Sequence, residues 1–263
     1  MNILVLVKEV PDMDNVKFDS DKGTVDRSSA KAEINPFDES ALQAAIDLRE
    51  QYGGKVTVVT MGPGKAVKSL QEAYARGAND GVLVTDRAFG GSDTVATART
   101  LSEAIKTIEY DLILCGEKSV DGDTAQVGAE VAEFLQIPHC YYADHISLEN
   151  GKVKVSIENL CGKRQIRLMS MPALVGVTKN IAKLKLPTVN RKLESMDMSF
   201  TTLGLEDLVG LSKENTGFNG SPTKVARIEV PKEMERKSVI YKGDFDGFVG
   251  NLDKEVRNRG IVR

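Results

Sequence analysis

Short apolar runs alternate with amphipathic segments through the first half of the chain. The continuous apolar runs, which are typical of strands covered on both faces, occupy residues 3–7, 56–61, 81–84 and 112–115. The segments that carry apolar residues at helical spacing start near residues 36, 65, 95 and 127. Four strand–helix pairs in succession predict an α/β fold with a doubly wound, mostly parallel sheet.

The first of these helices has clear end signals. Asn35 stands at the capping position, Pro36 follows in the first turn, and Gly53 ends the apolar stripe. Pro at the start and Gly just past the end are the usual asymmetry of helices. We therefore expect a helix between Asn35 and Gly53.

The pattern changes after residue 138. Apolar residues at 146–148 and 153–155 flank Asn150-Gly151, a two-residue turn that predicts a hairpin. Further strands, at 165–169 and 174–177, suggest antiparallel additions to the sheet, and a small surface hairpin is expected around 21–23.

The last third of the chain loses this alternation. Residues 179–187 mix basic and aliphatic side chains, 215–222 have the composition of a linker, and the last thirty residues are heavily charged. Such a segment cannot bury itself well. We expect an α/β domain at 1–187 and an extended C-terminal arm at 188–263 that contacts a partner.

Composition narrows the class of protein. With 41% hydrophobic residues the 263-residue chain can bury a large core, and its net charge of −3 gives no reason to expect nucleic acid. No apolar run approaches the roughly 20 residues that span a bilayer, and the amino terminus lacks the basic region of a signal peptide. Three cysteines without paired spacing suggest free thiols, so we expect a cytoplasmic protein without membrane contact.

The most informative stretch is the polar loop at 116–129, between the fourth apolar run and the helix that follows it. Ligands of open α/β sheets bind at such strand ends, and helix amino termini attract phosphate. Asp121 and Asp123 could accept hydrogen bonds from sugar hydroxyls, and Asp123 or Thr124 could instead simply cap the helix. The loop predicts an adenine-type nucleotide or a larger cofactor.

Other chemistry is weakly supported. Neither the Rossmann nor the P-loop glycine pattern occurs. Gly62-Pro63-Gly64-Lys65 is as well explained by a tight turn as by phosphate contact, and 90–93 as well by a capped connection as by a ligand. His139 and His145 have no metal-ligand spacing, and no nucleophile–base pair is evident, so we predict neither a metal site nor a catalytic residue.

Several motifs together resemble the β subunit of electron-transfer flavoproteins. Their order and separation fit that family, and they lie at residues 5–12, 35–38, 60–63, 86–94, 120–128 and 220–223. The resemblance covers nearly the whole chain. It implies a nucleotide-binding, Rossmann-like α/β fold and a heterodimer with an FAD-carrying α subunit.

The motifs at 89–94 and 121–128 resemble those of the electron-bifurcating members, in which the β subunit holds FAD where simpler members hold AMP. The resemblance then implies that NADH gives a hydride to this FAD. One electron would pass through the α-subunit FAD to an FAD-dependent dehydrogenase, of acyl-CoA or lactate type, and the other to ferredoxin or flavodoxin in anaerobic metabolism. The alternatives are a non-bifurcating β subunit with structural AMP, and a stand-alone ATP-binding stress-type protein.

The resemblance also suggests the contacting residues. The isoalloxazine is expected at 89–94, the pyrophosphate and ribityl chain at 121–128, and the adenylate near the remaining positions. The expected cofactor-binding residues are Leu6, Lys8, Asn35, Pro36, Phe37, Asp38, Met61, Phe89, Gly90, Gly91, Ser92, Asp93, Thr94, Lys118, Ser119, Val120, Asp121, Gly122, Asp123, Thr124, Ala125, Gln126, Val127 and Gly128.

A separate segment near 179–190 aligns with the family's recognition loop, in which a leucine beside a proline inserts into the dehydrogenase. Leu184, Leu186 and Pro187 are the expected docking residues. An ordinary basic connection is the alternative explanation of this segment.

Overall fold

A computed structural model describes residues 1–12, 17–19, 24–26, 31–158, 162–224 and 240–261, and gives only the backbone for 17–19, 24–26 and 158. The chain forms two compact units, Met1–Ile228 and Glu229–Arg263. The candidate site lies in the first unit.

The strands of the first unit are β1 (Asn2–Val7), β2 (Glu9–Pro11), β3 (Lys17–Asp19), β4 (Thr24–Asp26), β5 (Ala32–Ile34), β6 (Lys55–Met61), β7 (Asp80–Val84), β8 (Leu112–Gly116), β9 (His139–Glu149), β10 (Lys152–Glu158), β11 (Arg164–Met169), β12 (Ala173–Val177) and β13 (Thr201–Leu203). Its helices are α1 (Pro36–Tyr52), α2 (Val67–Arg76), α3 (Thr94–Ile105), α4 (Val127–Leu135), α5 (Val189–Met196) and the single turn α6 (Gly217–Gly220).

Nine of the described strands form one sheet in the order β11-β10-β9-β12-β8-β1-β6-β7-β13, and β2–β5 and β3–β4 form two separate pairs. In this order, the seven neighbouring strands β9, β12, β8, β1, β6, β7 and β13 are parallel. Strands β10 and β11 add antiparallel members at the β9 end. The predicted mostly parallel sheet with antiparallel additions is confirmed.

Helices cover both faces of the sheet. In β1, Ile3, Val5 and Val7 pack in one core with α1 and α2, while Leu4 and Leu6 pack in a second core with α3 and α4. Because side chains alternate between the two faces of a strand, a strand buried on both sides needs an unbroken apolar run. This is why the four runs were predictable as strands of a doubly wound sheet.

The predicted turns are also confirmed where the structure describes them. Asn150 and Gly151 both have positive φ, +51° and +74°, between β9 and β10, as a two-residue hairpin turn requires. The small hairpin exists as the antiparallel pair β3–β4, although the predicted turn at 21–23 lies outside the described residues.

Two local predictions were wrong. Helix α4 begins at Val127 with Gln126 at its N-cap position, so neither Asp123 nor Thr124 caps it. The linker expected at 215–222 is a folded segment, in which Thr216, Gly217 and Ser221 are buried and α6 forms. Their backbone and hydroxyl groups find partners within the first unit, which composition alone did not reveal.

The first unit also includes α5 and β13. Strand β13 pairs with β7 at the sheet edge, and Arg191 of α5 stacks on Tyr74 at 4.7 Å and donates to the Tyr74 carbonyl. The folded part of the chain thus continues past residue 187, where the domain boundary was placed.

The described part of the second unit consists mainly of helix α7 (Phe245–Asn258), capped by Asp244, whose carboxylate accepts from the Gly247 amide at 2.9 Å. Phe245, Phe248, Val249 and Leu252 are exposed on it. Within the described ranges of both units, no helix has the length and apolarity that a membrane crossing demands.

Candidate functional site

A cavity of about 830 Å³ opens at the carboxyl ends of β1, β6, β7 and β8. This is the edge at which open α/β sheets bind their ligands, and the volume lies in the usual range of ligand pockets. The cavity lining includes Leu6, Val7, Lys8, Asn35, Asp38, Met61, Gly62, Pro63, Asp86, Arg87, Phe89, Gly90, Gly91, Ser92, Asp93, Thr94, Thr97, Leu101, Cys115, Gly116, Glu117, Lys118, Ser119, Asp121, Gly122, Thr124, Ala125, Gln126, Val127, Gly128, Tyr141 and Thr223.

The start of α1 organises one side of this cavity. Asn35 is fully buried, and its side chain makes no cap bond to its own helix. Instead its amide donates to the Lys118 carbonyl at 2.8 Å and accepts from the Val120 amide at 3.2 Å. Asn35 therefore fixes the loop after β8 rather than capping α1 with its side chain.

Asp38, one turn into α1, ties two strand ends together. Its carboxylate accepts from the Lys8 amide at 2.9 Å and from the Gly116 amide at 3.0 Å. Burial raises the pKa of Asp38 to about 7, and the hydrogen bonds from Lys8, Asn35 and Gly116 offset only part of this effect. The cavity thus holds a buried carboxyl that titrates near neutral pH.

The loop between β8 and α4 is braced by two ion pairs. Lys8 Nζ contacts the nearly buried Asp121 carboxylate at 2.7 Å, and Lys118 Nζ contacts Asp123 at 2.7 Å. Asp123 and Ala125 have φ of 53° and 54°, in the left-handed region that non-glycine residues seldom adopt. Strained backbone of this kind is concentrated at functional sites.

The glycine-rich loop 89–94 forms the opposite side of the cavity. Asp93 caps α3 through its carboxylate, which accepts from the Ala96 amide at 3.0 Å, and Ser92 donates to the Phe89 carbonyl at 2.8 Å. Burial raises the pKa of Asp93, but the hydrogen bonds from Ala96 and Thr223 together have the larger effect. The pKa of Asp93 therefore lies below its ordinary value. These side chains shape the loop, whose residues Gly90 and Gly91 line the cavity.

The two loops meet at Thr94. Its hydroxyl lies 3.2 Å from Gln126 Oε1 and 3.1 Å from Glu130 Oε1, at the amino end of α4. The other carboxylate oxygen of Glu130 is buried without a hydrogen-bond partner among the described residues. Burial raises the pKa of Glu130. The amino ends of α3 and α4 therefore border the same space.

Most of the sequence-predicted cofactor residues line this one cavity. The predicted residues outside the lining are Pro36, Phe37, Val120 and Asp123. The Phe37 ring instead lies under Lys179 Nζ at 4.8 Å and near Lys118 Nζ at 5.8 Å.

Sequence reasoning missed several lining residues. Tyr141 comes from β9, far along the chain, and Thr223 comes from just past the segment interpreted as a linker. Glu117 lies within the predicted loop, Cys115 directly precedes it, and Gly62 and Pro63 were left undecided between turn and phosphate contact. The available signals were the motifs at 60–63 and 220–223, which carry the resemblance but whose Gly62, Pro63 and Thr223 were not assigned to the site.

The predicted docking residues lie away from the cavity lining. Leu186 is 91% exposed and Leu184 is also exposed. Between them the Lys185 amide donates to Gln43 Oε1 at 3.0 Å, and Lys185 Nζ contacts Asp47 at 2.9 Å. The backbone of this segment is fixed to α1 while its leucines face solvent.

Metal-binding and thiol chemistry are not indicated. Within the described ranges no group of acidic, histidine or cysteine side chains could hold a metal ion. Cys115 and Cys140 are buried free thiols, as expected, whereas Cys161 lies outside those ranges. Burial raises the pKa of Cys115 to about 12, so its thiol stays protonated at neutral pH.

A doubly wound sheet with a cavity of about 830 Å³ at its carboxyl edge is the arrangement of α/β nucleotide-binding folds. Residues 22–201 match the family model described as the electron transfer flavoprotein domain. The chain belongs to the electron transfer flavoprotein family, and several of the relatives that it matches are named as its subunit beta.

Three relatives match along the full length of both chains. An electron transfer flavoprotein subunit beta of Thermoanaerobacterium thermosaccharolyticum is 38% identical over 262 residues. The caffeyl-CoA reductase-Etf complex subunit CarD of Acetobacterium woodii is 36% identical over 264 residues. The acryloyl-CoA reductase electron transfer subunit gamma of Anaerotignum propionicum is 36% identical over 268 residues.

Proposed function

We propose that this β subunit binds FAD in the cavity, receives a hydride from NADH there, and works with an FAD-carrying α subunit in electron bifurcation. The observation that carries the proposal is the continuity of the cavity. One space of about 830 Å³ extends from Leu6 and Asn35, past the 118–128 loop, to the glycine-rich loop at 89–94. A cavity that needed to hold only AMP would not need to extend to the glycine-rich loop.

The adenylate end would lie between the start of α1 and the loop after β8. Asn35 and the Lys8–Asp121 pair give this loop a defined shape before any ligand arrives. The amino end of α4 suits the pyrophosphate, because the first turn of a helix presents free N–H groups and a positive dipole. The donors present therefore fit an adenine dinucleotide.

The ring end would lie along the glycine-rich loop. Gly90 and Gly91 expose backbone, while Phe89 is buried beneath them. Backbone N–H groups near the start of α3 would hydrogen-bond a polar planar ring and favour negative charge on it. The redox chemistry itself, hydride acceptance and single-electron release, would be supplied by the flavin. The protein would bind and orient it.

The names of two relatives support the choice of partner. Two of them are named as subunits of caffeyl-CoA and acryloyl-CoA reductase complexes, which supports an acyl-CoA-type, FAD-dependent dehydrogenase as the electron acceptor. Leu184, Leu186 and Pro187 would dock it. Ferredoxin or flavodoxin would take the second electron, in the cytoplasm and without nucleic acid or membrane.

The first test is the nucleotide content of the purified α–β pair. Two FAD per pair, both reduced when NADH is added, support the proposal. One FAD with one AMP would instead indicate a non-bifurcating β subunit. Steady ATP hydrolysis by the chain alone would support the stand-alone alternative.

A variant then locates the ring. Gly90 has an ordinary backbone conformation, and a Cβ atom there would meet only the Arg87 carbonyl oxygen, at 3.3 Å, whereas Gly91 has a φ of +74° and faces Phe218. Gly90→Val alone should therefore fold, crowd the ring and abolish NADH-driven ferredoxin reduction while the α-subunit FAD stays. Gly64→Val is the matched control, because that position is open and lies outside the cavity lining.

A further inference from the structure

The glycine-rich loop is held from outside by the segment at 217–223. The Phe218 amide donates to the Gly90 carbonyl at 3.0 Å, and the Asp93 amide donates to Ser221 Oγ at 2.8 Å. Asp93 in turn accepts from Thr223, from its amide at 2.9 Å and its hydroxyl at 2.8 Å. We call residues 217–223 the clamp.

The clamp is anchored to the body of the first unit. The Ser221 hydroxyl is buried and lies 2.7 Å from the Gly217 carbonyl, so Ser221 closes the α6 turn while it holds Asp93. Just before the clamp, the Asn215 carbonyl accepts from Arg99 of α3 at 2.9 Å. The segment therefore has a fixed position against α3.

The clamp determines where the loop lies. Both carboxylate oxygens of Asp93 are used, one for the α3 cap and one for Thr223, so this side chain has its hydrogen bonds within the protein. The contacts made by the clamp go to the backbone of Gly90 and Asp93, to the Asp93 carboxylate, and to the Gly91 carbonyl, which lies 3.3 Å from Ser221 Oγ. Thr223 itself reaches the cavity lining.

We propose that Ser221 and Thr223 are positioning residues that hold the glycine-rich loop in the shape needed to receive the ring end of the cofactor. This inference rests on the proposed function, since only a ligand with a ring beyond the adenylate reaches this loop. The adenylate end is built from α1 and the loop after β8, which the clamp does not touch. The clamp thus selects between FAD and AMP.

The test compares the two nucleotides in the α–β pair. One hydrogen bond is worth roughly a two- to tenfold change in an equilibrium constant. Ser221→Ala should raise the Kd for FAD roughly tenfold and leave the Kd for AMP unchanged. Thr223→Val should raise the Kd for FAD by a few-fold, and Thr223→Ser, which keeps the hydroxyl, should restore it.

Ser195→Ala is the matched control, since Ser195 is also buried and its hydroxyl donates to a carbonyl, that of Lys192 at 2.8 Å, outside the cavity lining. It should change neither constant. Equal weakening of FAD and AMP by Ser221→Ala would show a general structural role and overturn the proposal, as would an unchanged Kd for FAD.

Amide hydrogen exchange separates this inference from the proposed function. In Ser221→Ala and Thr223→Val, exchange should accelerate in the peptide covering 86–97 and in the clamp itself, and nowhere else in the first unit. If the wild-type pair binds AMP and no FAD, the proposed function fails. Hydrogen exchange then still tests whether the clamp holds the glycine-rich loop. Unchanged exchange at 86–97, or acceleration throughout the first unit, would overturn that role.

Discussion

A Cβ atom on Gly128 would overlap the phenol oxygen of Tyr141 and come within 2.7 Å of Cys115 Sγ. Gly128 is one of the expected cofactor-binding residues, and a glycine lets the backbone come close to a ligand. The structure gives a second reason, because the first turn of α4 packs directly on β9 and β8. Overpacking of this kind costs roughly 1–3 kcal/mol.

We therefore predict that Gly128→Ala lowers the stability of the α–β pair even without nucleotide. Adding Tyr141→Phe, which removes the overlapping oxygen, should recover part of the loss. Thermal unfolding of the two variants measures this, with Gly64→Ala as the control at an open glycine. A double variant no more stable than Gly128→Ala would contradict the packing explanation.

Replacing Asn35 should loosen the loop after β8. Asn35→Ala leaves the Lys118 carbonyl and the Val120 amide without their side-chain partner, and an unsatisfied buried group costs about 1–3 kcal/mol. Nucleotide affinity should fall at least tenfold. Asn79→Ala removes a comparable bond, from the Val56 amide at 2.9 Å, at the opposite edge of the sheet. This control should leave the affinity unchanged, and equal loss in both variants would count against the placement of the site.

Asp38 should make stability depend on pH. Its pKa is raised by burial from 3.8 to about 7, so the folded state holds this proton more tightly than the unfolded state. The resulting stabilisation is fully present below pH 3.8 and is lost as the pH rises through about 7.

Urea unfolding of the wild type and Asp38→Asn between pH 4 and 8 tests this prediction. The wild-type advantage should shrink with rising pH. Asp111→Asn, at another carboxylate that accepts from a backbone amide, that of Asn2, serves as the control for exchanging a carboxylate for an amide. A difference between wild type and Asp38→Asn that stays constant with pH would refute the assignment.

Leu186→Ala should slow electron delivery to the dehydrogenase while flavin content stays normal. An anchor side chain at an interface is worth about 2 kcal/mol or more, and Leu186 is 91% exposed in the free chain. Stopped-flow reduction of the dehydrogenase measures the effect. Val209→Ala, at a fully exposed aliphatic position outside the docking segment, should leave the rate unchanged. The same rate in both variants would support the simpler explanation, an ordinary connection.

The sequence predicted the parallel core well because strands buried on both faces leave continuous apolar runs, as in β1 and β8. Both lie beside the cavity, and so do the loops that follow β7 and β8. These features depend on local pattern and on the rule that strand ends gather at one edge.

What sequence reasoning missed depends on contacts between distant positions. Ser221 and Asp93 are joined by a hydrogen bond although 128 residues separate them along the chain. Tyr141 reaches the cavity from β9. The hairpin signal predicted that strand only as an antiparallel addition to the sheet, with no role at the cavity. Asn35 was predicted at the correct position but with the wrong partner. A side chain that can cap its own helix can equally well bond to a neighbouring loop, and only the fold decides between them.

Helix α1 carries the cavity at one end and holds the docking segment along its length, through Ser40, Gln43, Asp47 and Glu50. The anchors of that segment are the backbone carbonyl of Lys179 and the amide and amine of Lys185, not its leucines. The exposed positions 184 and 186 can therefore diverge among descendants of this chain at little cost to the fold. Under the proposed docking role, such an arrangement lets partner choice evolve separately from cofactor choice.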